Sequence, residues 1–342
     1  LSGGSVNITP RVLTASVTAA NKVYDGNTFA ITSAPVLGNK IEGDVVGCNI
    51  EGDFSDKNVG VNKTVAFNIS LNGTDAGNYA LAANSITSNA SITKAPLTIT
   101  AVANTKTYDG GTSASTASMV TNGTVYDAYT LSEKYGEKKA GSNKLLIPEI
   151  TFATASDAAN YAVTAVNANT GAIYKAALTA RLTGAVEKVY DGNTTATLTN
   201  ANFNVNGKVS GDEVLFAGSG SYDNKNIGNG KSVTVPTYTL DGADAGNYYV
   251  QGSIDGSVSG TITPATLYYT ATPTSMIQGS AVPLVSGAIT GLKGSDTLGA
   301  VTDGAAAWST TATNTSAVGS YAINGNGVTL KMLDLVCPKE KP

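Results

Sequence analysis

The sequence predicts an all-β chain: a tandem array of four small β-sandwich modules of Ig-like type. Three observations carry that expectation. A local order of residues returns at a period slightly above 80, apolar and polar residues alternate with period two, and Asn-Gly, Asp-Gly and Gly-Asn pairs punctuate the alternating runs.

The repeat comes first because it sets the architecture. Lys22, Tyr24, Asp25 and Gly26 return as Lys106, Tyr108, Asp109, Gly110 and as Lys188, Tyr190, Asp191, Gly192. The tyrosines lie 84 residues apart (24 to 108) and then 82 (108 to 190). A second marker follows each: Asp75-Ala76-Gly77-Asn78-Tyr79, Asp157-Ala158-Ala159-Asn160-Tyr161 and Asp244-Ala245-Gly246-Asn247-Tyr248. Such a period is too long for a solenoid turn and suits a small domain.

Similar joints divide the chain, at Thr93-Lys94-Ala95-Pro96-Leu97, Tyr174-Lys175-Ala176-Ala177-Leu178 and Thr263-Pro264-Ala265-Thr266-Leu267. The expected modules are 11–95, 96–176 (divergent in its charged middle), 177–265 and a terminal 266–336, with a tail at 337–342. Residues 1–10 repeat the pattern that closes the third module, so they are expected to be the last strand of a preceding one. Without an initiator Met or a signal peptide, the chain is expected to be a piece of a longer array. The fourth module keeps only a second marker, Val318-Gly319-Ser320-Tyr321, and has Ser275-Met276-Ile277-Gln278-Gly279 in place of the first. Departure from consensus is what a terminal, capping repeat requires.

Alternation is plain in Leu97-Thr98-Ile99-Thr100 and in Val65-Ala66-Phe67-Asn68-Ile69-Ser70-Leu71, which read as strands of antiparallel sheets with one apolar face. No stretch shows a convincing 3.6-residue period with helix caps. A β-grasp-like module is the alternative to the sandwich, and the lack of a helix counts against it. Tyrosine, at 16 copies against 6 Phe and 1 Trp, is expected to fill the thin cores, ring inside and hydroxyl on a backbone carbonyl. The Asn-Tyr of each second marker is expected to form a tyrosine corner.

The repeated Lys-x-Tyr-Asp-Gly and Ala-Gly-Asn-Tyr pairing resembles the YDG repeat family of bacterial secreted, filamentous-haemagglutinin-like adhesins. The fourth module is similar to their MBG repeats. The resemblance implies a secreted or cell-surface protein, a stalk of β-domains, no catalytic residues, and a ligand bound by a distal region. It also implies an outer-membrane secretion or retention partner at the C-terminal end.

Composition excludes much. With no His in 342 residues, the usual general base near neutral pH and the commonest transition-metal ligand are missing. Cys48 and Cys337 are too few for a zinc site, and no P-loop, nucleophile elbow or dinucleotide fingerprint occurs. A net charge of −4 without a basic stripe argues against nucleic acid, and no apolar run approaches a membrane span. Neither enzyme activity nor a cofactor is expected, and no catalytic, cofactor-binding or metal-binding residue is assigned.

Three candidate sites remain. The aspartates Asp25, Asp109 and Asp191 suit turns in which the carboxylate accepts backbone N–H bonds and Gly supplies positive φ. The alternative is calcium held by Asp25 with Asp53, Asp56 and Asp75, although no EF-hand spacing is present. The lysines Lys22, Lys106 and Lys188 are expected to lie along the tyrosine face. Their sharper alternative is an isopeptide bond, for example Lys22 to Asn78 assisted by Asp25. Cys48 aligns with Phe216 and is expected to be a small buried residue. Cys337 is a candidate for anchoring the tail, as in adhesins retained by a cysteine-bearing hook, although such hooks usually carry two cysteines.

Two functions of different class follow. One is a monomeric stalk, a rod of roughly 130–150 Å if each of four modules is about ten strand residues long. The other is a self-assembling fibre subunit in which residues 1–10 add to an open sheet edge. Direct carbohydrate or protein adhesion through Ser/Thr/Asn-rich faces is a weaker third.

Overall fold

Residues 3–254 and 258–331 are described by a computed structural model of the chain. They fall into two units, Leu1–Tyr174 and Lys175–Pro342. The chain is all-β. Among the described residues the α-helices are the single turns α1 (Ala155–Ala159) and α2 (Leu298–Val301), too short to cross a sheet as a β-grasp helix must.

In the first unit, the first module holds β1 (Arg11–Ser16), β2 (Lys22–Val23), β3 (Val36–Gly38), β4 (Gly47–Phe54), β5 (Gly60–Asn72), β6 (Tyr79–Leu81) and β7 (Ser85–Thr93). They form two sheets, β3-β1-β6 and β2-β7-β5-β4. The second module repeats the plan with β8 (Ala95–Thr100), β9 (Thr105–Thr107), β10 (Met119–Asn122), β11 (Tyr129–Tyr135), β12 (Gly141–Phe152), β13 (Tyr161–Val166) and β14 (Ala168–Tyr174). Its sheets are β10-β8-β13 and β11-β12-β14-β9.

In the second unit, the third module has β15 (Ala176–Leu182), β16 (Val186–Val189), β17 (Thr195–Leu198), β18 (Phe203–Asn206), β19 (Leu215–Tyr222), β20 (Gly228–Asp241), β21 (Tyr248–Val250) and β22 (Val258–Thr263). These make sheets β18-β15-β21 and β16-β22-β20-β19-β17. The fourth module is reduced to two hairpin pairs, β23 (Tyr268–Ala271) with β24 (Gly287–Thr290) and β25 (Thr302–Thr310) with β26 (Ile323–Leu330). Tyr269 meets Trp308 edge-on at 5.6 Å. A Cβ at Gly287 would lie 2.5 Å from the Trp308 ring, and one at Gly325 2.2 Å from the Tyr269 ring, so both glycines make room for that pair. Of the expected terminal module 266–336, β26 ends at Leu330, and the part from residue 332 lies outside the described residues. Residues 3–10 are exposed and belong to no strand.

The sheets are mixed, a correction to the antiparallel expectation. The first strand of each YDG-like module pairs parallel with the strand that opens at the second-marker tyrosine: Arg11 beside Tyr79, Ala95 beside Tyr161, Ala176 beside Tyr248. The first-marker lysine likewise sits in parallel register beside the joint isoleucine: Lys22 with Ile92, Lys106 with Ile173, Lys188 with Ile262. Parallel neighbours need long crossovers, and most of a module separates each pair. Both markers are therefore register points where the first and last strands of a module close on one another.

Alternation fills the cores as expected. On β5, Val65, Phe67 and Ile69 point inward, and on β8 Leu97 and Ile99 do. Each such side chain contributes about 1.5–3 kcal/mol on burial. In the first unit one apolar cluster runs from Phe67, Ile92 and Tyr24 through Ala95 and Leu97 to Tyr161, so the first two modules share a core across their joint. Only Lys94 separates β7 from β8 there. Pro96, with no N–H to give, stands at the start of β8, where a ladder tolerates it.

Candidate functional site

The first recurring constellation is local. The Lys22 ammonium donates to Asp25 Oδ1 (2.8 Å), Asn27 O (2.9 Å), Asn27 Oδ1 (3.0 Å) and Phe29 O (2.8 Å), and it lies 5.4 Å from the centre of the Phe54 ring. Lys106 repeats this with Asp109, Gly111 O and Ser113 O over Tyr135, and Lys188 with Asp191, Asn193 and Thr195 O over Tyr222, each again 5.4 Å from the ring centre. The Lys22 side chain is only 4% exposed. Lys22 is buried and Lys106 and Lys188 are half-buried, each caged by oxygens and a ring, and the ring is the β4-type aromatic, not the first-marker tyrosine. The aspartates act as expected, with Asn27 N–H donating to Asp25 Oδ1 beside Gly26 at φ 79°. For Asp109 and Asp191 burial pushes the carboxyl up, but the lysine and backbone bonds outweigh it and hold both below the ordinary carboxylate range.

The bonds of Lys22 do not include Asn78, which closes the 3₁₀ turn Ala76–Asn78 and is exposed. The acids considered for calcium are separately engaged: Asp25 with Lys22, Asp53 with Thr28 Oγ1, Asp56 with Lys63, and Asp75 with the Val45 N–H. Among the described residues no three of His, Cys, Asp and Glu converge as metal ligands would. Cys48 is a free thiol, partly buried against the first-unit core, and burial pushes its pKa up. Cys337 lies outside the described residues.

The second constellation joins modules within a unit. Tyr24 OH donates to Asp127 Oδ2 (2.7 Å), Lys57 reaches Asp127 Oδ1 (2.5 Å), and Tyr161 OH donates to Oδ2 from the second module's own side (3.0 Å). Beside this, the Val59 N–H donates to Asn160 Oδ1 (2.9 Å), and Asn160 Nδ2 donates to Asn58 Oδ1 (3.1 Å). Tyr24 meets Tyr126 and Tyr161 edge-on at 6.0 and 5.5 Å. The Asp127 side chain is 4% exposed. Burial pushes its carboxyl up, yet the bonds from Lys57, Tyr24 and Tyr161 hold it below the usual carboxylate range. Burial, with the Asp127 bond next, pushes the Tyr24 phenol up to about 12.

In the second unit, Tyr190 OH donates to Asp296 Oδ2 (2.7 Å) and Lys225 approaches Asp296 Oδ1 (3.4 Å). The Tyr190 bond, with Lys225 assisting against burial, holds Asp296 below its ordinary value. Here no Asn-Tyr pair backs the carboxylate, because Tyr321 is 40% exposed and its hydroxyl donates to Ala317 O. A cavity of about 570 Å³ opens instead, lined by Tyr190, Asn226, Ile227, Leu267, Leu292 and Asp296 among others.

The second-marker tyrosines are buried corners, but their hydroxyls do not sit on carbonyls as expected. Tyr79 accepts from Ile41 N and donates to Asp44, Tyr161 accepts from Tyr126 N and donates to Asp127, and Tyr248 accepts from Val209 N and donates to Asp212. Gly43-Asp44 recurs as Gly211-Asp212 and Lys57-Asn58 as Lys225-Asn226, a repetition that marks these residues in the sequence, whereas Asp127 and Asp296 lack the Gly-Asp context (Tyr126-Asp127, Ser295-Asp296) and carry no such signal.

These features define a repeat protein of β-modules in which a tyrosine–lysine end of one module clasps an aspartate on the next. The chain belongs to the YDG domain family, whose model matches residues 9–87, 93–169 and 174–256, and the MBG domain (YGX type) matches residues 267–331. No curated protein matches the chain.

Proposed function

We propose that this chain is a non-catalytic stalk segment of a bacterial secreted or surface-exposed adhesin, holding a distal binding region away from the cell. The observation that carries the reading is the Tyr–Lys–Asp latch, found between the first and second modules and again between the third and fourth. A buried phenol–carboxylate bond with a shared core resists bending and separation in a way a Gly/Ser linker does not. The family's occurrence in extracellular, adhesin-like repeat proteins supports the same reading, as does a composition without histidine.

A fibre subunit is the second reading. Its support is the exposed, strand-free segment with alternating Val6 and Ile8, 91% and 93% exposed, which has the pattern of a donor strand. Light scattering coupled to size exclusion, with small-angle scattering on the same sample, separates the two. An elongated monodisperse monomer upholds the stalk; concentration-dependent polymers that vanish on deleting residues 1–8 replace it with the fibre.

A further inference from the structure

We propose that the face of the first module bearing Asp44, Asn78 and Tyr79 is a docking site for the tyrosine–lysine end of a further YDG-type module. The inference rests on the latch reading above and extends it to a face of the first module on which Asn78 is exposed.

The second module shows what this face looks like when occupied. Its Asp127, Asn160 and Tyr161 are the counterparts of Asp44, Asn78 and Tyr79 in the second-marker register. Tyr24 and Lys57 reach Asp127, while Asn58 and Val59 bond Asn160, which is left 1% exposed. On the first module Asn78 is exposed. The receiving half is nonetheless already assembled, since Tyr79 donates to Asp44 and accepts from Ile41 N at 3.2 Å, as Tyr161 does with Asp127 and Tyr126 N. Tyr126 offers its ring to Tyr24 across the occupied junction, and Ile41, in the corresponding place, is 48% exposed with Val45 nearby at 61%. A preformed carboxylate, an amide and an apolar rim match the chemistry of a phenol, an ammonium and an Asn-Val backbone step.

The chemistry also selects the occupant. Tyr24 with Lys57 and Tyr190 with Lys225 are engaged inside this chain, and Tyr108 and Lys138 are not free. The fourth module has Ser275-Met276-Ile277 where a first marker would stand, so it accepts a latch through Asp296 and has no tyrosine to extend one. A second copy of the chain thus has no spare donor end. The junction is heterologous, with donor and acceptor on different faces, so it adds modules in one direction.

The test uses the full chain with an additional copy of residues 175–264 in place of residues 1–10, so that Pro264 of the copy stands where Pro10 stood and the joint keeps its spacing. In that chain Asp44→Asn and, within the added copy, Tyr190→Phe should each lower the shared melting transition of the first two modules by roughly 5 °C. The double variant should fall no further than the larger single, while Asp44→Asn in the unextended chain shifts melting less. An added module that stays unfolded, melts independently, or leaves the Asp44→Asn effect unchanged overturns the proposal. A second arm works in the chain as it stands, with residues 124–127 exchanged for residues 40–44. If Tyr24 still ionises late, the first-module face accepts a latch; if its ionisation becomes ordinary while the third and fourth modules melt as before, it does not. Should Asp127→Asn itself leave the first two modules unaffected, the latch reading fails. Should that variant act while the added module ignores Asp44, only the docking inference fails.

Discussion

Asp127→Ala is the sharpest test of the latch. The substitution removes the only carboxylate that receives Tyr24 OH, Tyr161 OH and Lys57 together. Two charge-assisted bonds from buried phenols are worth about 1.5–3 kcal/mol each. Tyr161 keeps its bonds from the Tyr126 and Asp127 N–H groups, so its loss is partial, whereas Tyr24 OH is left buried. Lys57, 39% exposed, adds at most about 1 kcal/mol after solvent screening. The expected cost is therefore about 3–5 kcal/mol. Because the first two modules share a core, they should melt as one unit of roughly 150–170 residues, for which that cost is a fall of about 6–20 °C. Differential scanning calorimetry of the full chain should show this for the first unit's transition and no change in the second unit's. A shift below about 2 °C, or an equal fall of every transition, refutes the reasoning. The pH dependence adds a signature. Asp127 is depressed in the folded state, so its stabilisation is present above the unfolded value near about 3.9 and is lost as pH falls through the lower folded value. Asp127→Asn should flatten that part of the acid limb.

Other outcomes follow from the same geometry. In an alkaline titration followed by tyrosinate absorbance, Tyr24 and Tyr248 should ionise near about 12. Their neutral forms stabilise the fold fully below the unfolded value of about 10, and that stability is lost as pH rises through about 12. Lys22→Met should cost about 2–4 kcal/mol by leaving its oxygen cage without a donor, read as a lower denaturation midpoint for the first unit. Gly26→Ala should destabilise the same junction, since φ is 79° and the new Cβ would stand 2.7 Å from Tyr126 Cβ; an unchanged calorimetric trace would refute it. Intact mass under denaturing conditions should equal the sequence mass, because Lys22 is bonded to Asp25, Asn27 and Phe29 and not to Asn78; loss of ammonia would reveal crosslinks instead.

The sequence by itself determined what depends on neighbours along the chain. Lys22, Asp25 and Gly26 meet within one turn, so their spacing announces both the bend and the aspartate's backbone bond. The alternation on β5 and β8 announces inward faces because a strand's side chains must alternate whatever it pairs with. Strand direction is different: period two is the same for parallel and antiparallel partners, so the parallel pairs at Tyr79 and Lys22 were invisible until the module closed. The latch belongs wholly to the tertiary structure. Tyr24 and Asp127 are 103 residues apart, and only the one-residue joint at Lys94 and the shared core behind it bring them within 2.7 Å. The ring under each caged lysine was likewise decided by packing: the sequence places Tyr24 on the lysine's own strand face, but the fold turns that ring toward the next module and slides Phe54 beneath the ammonium in its place.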